Sequence, residues 1–122
     1  MPLFLYGTLL DRRVLARRSG DPRLALRLRP AALHGHARVV FRGTAYPTLA
    51  RHAGGVVEGA LVRPGPSAMA ALRRYEGACY RLIPLRVRSG RGLRWARAWM
   101  VPRRMAAPDE WRPGLTHGSR PG

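Results

Sequence analysis

The stretch Leu3-Phe4-Leu5-Tyr6-Gly7-Thr8-Leu9-Leu10 frames the whole chain. An apolar run this short, stopped by Gly7, suits a buried first strand that ends in a tight turn. A glycine there also lets consecutive backbone N–H groups point into one concavity, a small nest for an anion. Read alone, the segment favours the ordinary strand-ending turn.

Working outward, Asp11 has the place of an N-cap for a short helix running to about Arg18, with Val14 and Leu15 turned inward and Ser19–Pro22 breaking it. Leu24 to Gly43 is apolar and arginine-alternating, interrupted by Pro30 and Gly35, and predicts two strands. Ala45–Gly55, with Pro47 and the Gly54–Gly55 pair, reads as a loop holding at most a short strand, and Val56–Arg63 as a strand. Ser67 is placed to cap a helix over Ala68–Tyr75, with Met69 and Leu72 on one face and Gly77 as the C′ residue. Arg81–Ser89 sets Ile83, Leu85 and Val87 on one strand face. Ser89–Gly92 is a hairpin turn, and Leu93, Trp95, Trp99 and Val101 alternate along the return strand. After Pro102 the chain is rich in Pro, Gly and Arg and reads as irregular. These elements sum to a mostly antiparallel sheet able to close as a barrel, with two short helices.

The length of 122 residues fits one domain, which buries roughly 65% of its unfolded surface. No apolar run approaches a membrane span, and Met1–Tyr6 is too short for a signal peptide, so a soluble, cytoplasmic protein is expected, with no membrane partner. The single Cys79 excludes an internal disulfide and a multi-cysteine zinc site. A formal charge of +17 raises the idea of a nucleic-acid binder. All 23 basic residues are arginine, however, and Lys, Asn and Gln are absent, the signature of a GC-rich coding bias. The arginines are dispersed, with pairs such as Arg12–Arg13 and Arg73–Arg74 but no block of five or six like charges. Charge is therefore weak ground for a nucleic-acid partner.

Among only six acids, Glu76 stands out in Leu72-Arg73-Arg74-Tyr75-Glu76-Gly77-Ala78-Cys79-Tyr80. It falls in the last turn of a helix, where the dipole disfavours a carboxylate, and burial between Tyr75 and Tyr80 adds to that. Both effects raise its pKa toward the range of a general base working near neutrality, while Arg73, Arg74 and Arg81 oppose them. The plainer alternative is a surface glutamate paired with Arg73 or Arg74. Asp11 and Asp21 read as cap and turn residues, Asp109 and Glu110 fall in the tail, and Glu58 sits mid-strand. His34 and His36, two apart, would share a strand face, but His52, Cys79 and His117 supply no fixed third and fourth ligand, so no metal is expected. Cys79 reads as a lone buried cysteine rather than a nucleophile with a His partner.

Taken together, Leu3–Leu10, Ala45-Tyr46-Pro47-Thr48-Leu49, Gly55-Val56-Val57-Glu58-Gly59-Ala60-Leu61 and Tyr75-Glu76-Gly77 with Tyr80 beyond resemble the gamma-glutamylcyclotransferase-like (AIG2-like) family, in order and spacing, from residue 3 to residue 102. The resemblance implies an α+β fold: a small mixed, mostly antiparallel β-barrel of about six strands with two or three short flanking helices. The domain would span residues 1–102, and residues 103–122 would be a tail. It also implies conversion of a γ-glutamyl amide or amine into 5-oxoproline and a free amine, with no metal or organic cofactor. Glu76 stands where the family has its catalytic glutamate. Tyr6, Gly7, Thr8 and Leu9 match its substrate loop, and Tyr80 falls among the substrate-binding positions.

The chain departs from the family pattern at Arg73, where an aspartate is usual, at Leu82 in place of an arginine, and in Trp99-Met100-Val101-Pro102, which lacks a tyrosine. These departures leave room for a second expectation, a relative that binds a small molecule without turning it over. The leaving amine and the oligomeric state are not legible in the sequence.

Overall fold

The computed structural model describes residues 1–90 and 92–112. Its elements in chain order are β1 (Leu3–Leu5), α1 (Arg12–Ser19), β2 (Arg29–Phe41), β3 (Pro47–Val62), α2 (Pro66–Glu76), β4 (Arg81–Ser89), β5 (Gly92–Met100) and β6 (Ala106–Glu110). β1 pairs antiparallel with β3 and parallel with β5; β5 pairs with β4, β4 with β2, and β2 with β3. Those five strands close on themselves as a mixed barrel, and β6 adds to β2 as a sixth strand. This is the expected α+β architecture.

Period-two alternation explains why so short a strand as β1 is apolar throughout. Phe4 and Tyr6 face the barrel interior with Leu33, Val57, Val87 and Ala96. Leu3 and Leu5 face the other way, into a second core with Leu15, Leu72 and Trp99 beneath the helices. Gly59 on β3 is required by this crossing, since a Cβ there would lie 2.2 Å from the Leu5 carbonyl oxygen.

Several local expectations are corrected. Leu24–Gly43 forms one strand, not two; Leu24–Arg27 is a 3-10 turn, and Gly35 at φ 76° takes up a register shift inside β2. The stretch expected as a loop, Ala45–Gly55, lies mostly inside the long β3, because Pro47 occupies the first strand position, where proline is tolerated. Helix α2 starts at Pro66 after Gly65, so Pro66 at N1 rather than a Ser67 cap sets its beginning. On β5 the aromatic face is only half covered: Trp99 and Val101 are buried, whereas Leu93 and Trp95 are 49% and 54% exposed. Beyond Pro102 the chain is ordered through β6, and Trp111 is buried, its indole Nε1 donating to the Ala45 carbonyl over 2.8 Å. The remainder of the expected tail, residues 113–122 with His117, lies outside the described residues. At α1, Asp11 caps as expected, accepting from the backbone N–H of Arg13 at 2.9 Å and Val14 at 3.3 Å.

Candidate active site

Ala68, Leu72 and Glu76 lie four apart on α2 and are all buried, so Glu76 continues the helix's apolar stripe instead of its solvent face. It is only 4% exposed. Gly77 follows at φ 86°, ψ −179°, a conformation open essentially to glycine alone, and this turn makes Glu76 the last helical residue. Arg73, Arg74 and Arg81, the cations expected to oppose the helix and burial effects, are exposed.

Tyr6 enters the same region from the end of β1. Its hydroxyl donates to the backbone carbonyl of Trp99 on β5. Burial pushes the Tyr6 phenol well above its ordinary value near 10, and the negative charges of Tyr80 and Glu76 push the same way. A hydrogen bond with Thr48 and the positive charge of Arg38 oppose them. Tyr6 is therefore a neutral phenol at physiological pH, within electrostatic reach of the Glu76 carboxylate.

The neighbouring groups are tied down in turn. The Thr8 and Tyr75 hydroxyls lie 3.5 Å apart, joining the turn after β1 to the end of α2. Burial raises the Tyr75 pKa; the Thr8 hydrogen bond and the Arg18 guanidinium, 4.9 Å from the ring centroid, resist it, while Glu76 adds to it. Tyr80 donates to the Pro47 carbonyl over 2.6 Å and meets Phe41 edge-on at 5.7 Å between centroids. Thr48, fully buried, accepts the backbone N–H of Val101 at 3.1 Å.

The fold thus gathers Tyr6, Thr8, Glu76 and Tyr80 from the expected set, with Gly7 buried between the first two. The Leu9 side chain is fully buried in the outer core, which leaves its backbone as the part able to face a ligand. Sequence reasoning missed Thr48, although the segment carried a signal: a hydroxyl within Pro47-Thr48-Leu49-Ala50, a run that is otherwise apolar. It also missed Arg38, which alternation places on the same sheet face as its cross-strand partner Leu49. Glycine at 35 interrupts the alternation that would set His34 and His36 on one face, and the His36 ring Nδ1 lies 3.1 Å from the His34 carbonyl. No cluster of three His, Cys, Asp or Glu side chains able to hold a metal occurs among the described residues. Cys79, expected as a buried cysteine, is instead an exposed free thiol in the turn after Gly77. No helix among the described residues is long and apolar enough to cross a membrane.

Solved structures share this architecture. A protein of Arabidopsis thaliana known from a solution structure superposes with a TM-score of 0.70 at 23% identity, over 88% of this chain and 71% of that one. A gamma-glutamyl cyclotransferase superposes with a TM-score of 0.70 at 17% identity, over 84% and 66%. YkqA of Bacillus subtilis gives 0.71 at 23% identity over 90% of this chain, which spans only 44% of YkqA. At such identities the likeness is one of fold. No curated protein matches the sequence. The family model described as gamma-glutamyl cyclotransferase, AIG2-like, matches residues 3–119, well past β6, and the chain belongs to that family.

Proposed function

We propose that the protein is a cyclotransferase that releases 5-oxoproline and a free amine from a γ-glutamyl amide or amine, with Glu76 as general acid/base. The observation that carries this is the Glu76 carboxylate, buried at the end of α2 and felt by the Tyr6 phenol at the end of β1. Membership in the family and the shared fold support the reaction class.

The chemistry suits one carboxylate. The substrate's own α-amine attacks its γ-carbonyl carbon and closes a five-membered ring, so no enzyme nucleophile is needed and the attacking group is already at high effective concentration. An α-ammonium has a reference pKa of about 8, so a base must take one of its protons before the amine can attack. Glu76 takes that proton and passes it to the departing nitrogen as the C–N bond breaks. The second proton that the attacking nitrogen sheds in becoming the lactam N–H also ends on the released amine, which leaves as its ammonium, so the reaction balances with no external acid. The Gly7–Leu9 backbone holds the glutamyl part and donates N–H groups to the oxygen that gains charge in the tetrahedral intermediate. The buried Tyr6 and Tyr80 flank the carboxylate, and Tyr6 stays a neutral phenol.

Incubation of the protein with a series of γ-glutamyl amines, followed by chromatographic detection of 5-oxoproline, tests the proposal. Product from at least one member is expected. Ligand-induced stabilisation without product across the series would replace the enzyme with a binding relative of the same fold.

A further inference from the structure

Dispersed along the sequence, the arginines are sorted by the fold. Alternation puts Pro84, Arg86 and Arg88 of β4 on the outer face of the β4–β5 hairpin with Leu93, Trp95 and Arg97 of β5, while Val87, Ala96 and Ala98 point into the barrel. Five of those six outer residues are exposed, and Arg97 is half-buried. Neither strand carries an acid. Along the register the first is Glu58 on β3, reached from Arg88 across Ala32 of β2 and so two strands away, about 10 Å. We propose that this face binds single-stranded nucleic acid, with phosphates on Arg86, Arg88 and Arg97 and a base stacked on Trp95. The inference is independent of the cyclotransferase reading above.

Cation and apolar group are interleaved across the two strands. Arg88 stands opposite Leu93, Arg86 opposite Trp95, and Arg97 opposite Pro84. The Arg86 guanidinium carbon lies 5.7 Å from the Trp95 ring centroid, yet more than half of Trp95 is open to solvent. The Arg97 Nε is buried and bonds to nothing among the described residues, which leaves a donor without an acceptor. Both ion pairs among the described residues, Arg27–Asp21 and Arg112–Glu110, lie elsewhere, so no carboxylate offsets the hairpin's charge. Through Arg94, β5 also borders a hollow of about 790 Å³ that Arg27, Arg29 and Arg63 line with no acid among the described residues. The cationic path therefore continues from the hairpin to the end of the barrel.

The chemistry of the face selects among polyanions. A polynucleotide carries one phosphate and one flat ring per unit, so a single ligand answers both the arginines and the exposed indole. The strand must be unpaired, because only then is a base face free to stack on Trp95. An acidic peptide would meet the arginines and leave the indole unused. A second copy of this chain would repeat the same patch across a two-fold axis and set arginine against arginine with no acid between them. A lipid surface would have to take in Trp95 together with the guanidinium beside its ring, and a charge in hydrocarbon is costly.

Fluorescence anisotropy of labelled oligothymidylate and oligouridylate, each of about 12 nucleotides, titrated with the whole protein between about 50 and 200 mM salt, tests this. Binding is expected, with a slope of log K against log salt of about −2, the value for three phosphates on a single strand. The tighter of the two probes identifies DNA or RNA as the source. Trp95→Ala, which removes an exposed side chain, is expected to weaken binding about tenfold by loss of stacking. Arg86→Ala with Arg88→Ala is expected to flatten the slope to about −1. Arg12→Ala with Arg13→Ala removes the same charge from exposed positions on α1 and is expected to leave affinity within about twofold. Equal losses from the two arginine pairs, or unchanged affinity in Trp95→Ala, overturn the proposal, since charge alone would then bind. Oligoglutamate that competes as well as either probe overturns it in favour of an acidic peptide. No binding of either probe at the lowest salt also overturns it, and phosphatidylserine vesicles or self-association lost in Trp95→Ala would then name the occupant.

Discussion

The Tyr6 hydroxyl donates to the backbone carbonyl of Trp99, joining the end of β1 to the far end of β5 across the top of the barrel. Because Thr48 hydrogen-bonds the same phenol oxygen, three strands meet on one side chain. Removing the hydroxyl in Tyr6→Phe leaves a buried carbonyl and a buried threonine short of a partner, at a cost of about 1–3 kcal/mol in urea denaturation.

The same phenol shapes the alkaline limb of stability. Its folded-state pKa lies well above the ordinary value near 10, so above that value the unfolded chain sheds a proton that the native state keeps. Fewer protons on the unfolded state means stability falls as pH rises, and the contribution is fully present below about pH 10. Tyr75, shifted in the same direction, adds to the slope. Urea midpoints followed from about pH 8.5 to 11 are expected to decline, and to decline less steeply in Tyr6→Phe.

Gly77 holds Glu76 at the helix end through a backbone conformation that alanine resists. Gly77→Ala is expected to cost about 1–3 kcal/mol and to lower kcat by displacing the carboxylate. Gly20, at φ 72° after α1, provides the comparison. Gly20→Ala is expected to lose stability of about 1 kcal/mol without loss of kcat. An equal effect of both variants on kcat would show that Gly77 acts on the fold alone.

Trp111 binds the end of β6 to the body of the domain. Besides its indole bond to Ala45, its backbone N–H donates to the Arg38 carbonyl at 3.0 Å. Trp111→Ala is expected to destabilise by about 3–5 kcal/mol, the range for a buried large aromatic. A chain ending at Pro102 would lose the β2–β6 pairing as well and unfold at lower urea. An unchanged midpoint for that shorter chain would set the domain boundary at Pro102.

How much of this was legible beforehand depended on whether local signals agreed. Glu76 and Tyr6–Leu9 were readable as candidates because an isolated acid beside Gly77, and an apolar run cut by Gly7, mark positions where a polar group and a backbone constraint coincide. β2 and β3 were not readable as long strands. Gly35 and Gly54, which look like strand ends, are positive-φ positions inside continuous strands. The alternation of β5 was real but pointed to the wrong degree of burial. Its large residues line the outer face, which the second core covers only at Trp99 and Val101, while the fully buried inner face is built from Ala96 and Ala98. Small inward residues leave no hydrophobic signature. Arg38 was hidden for the opposite reason: among 23 arginines, nothing local distinguishes those that tertiary structure half-buries, Arg18, Arg38 and Arg97.

The most direct measurement is 5-oxoproline release by Glu76→Gln against the unaltered protein, on the best γ-glutamyl substrate, with thermal unfolding of both recorded in parallel. Glutamine keeps the size and the hydrogen-bonding ends of the side chain but cannot carry the proton. The account predicts a fall in kcat of about 100- to 10,000-fold, with the melting temperature within about 5 °C of the unaltered protein. Undiminished turnover by a folded Glu76→Gln protein would contradict it.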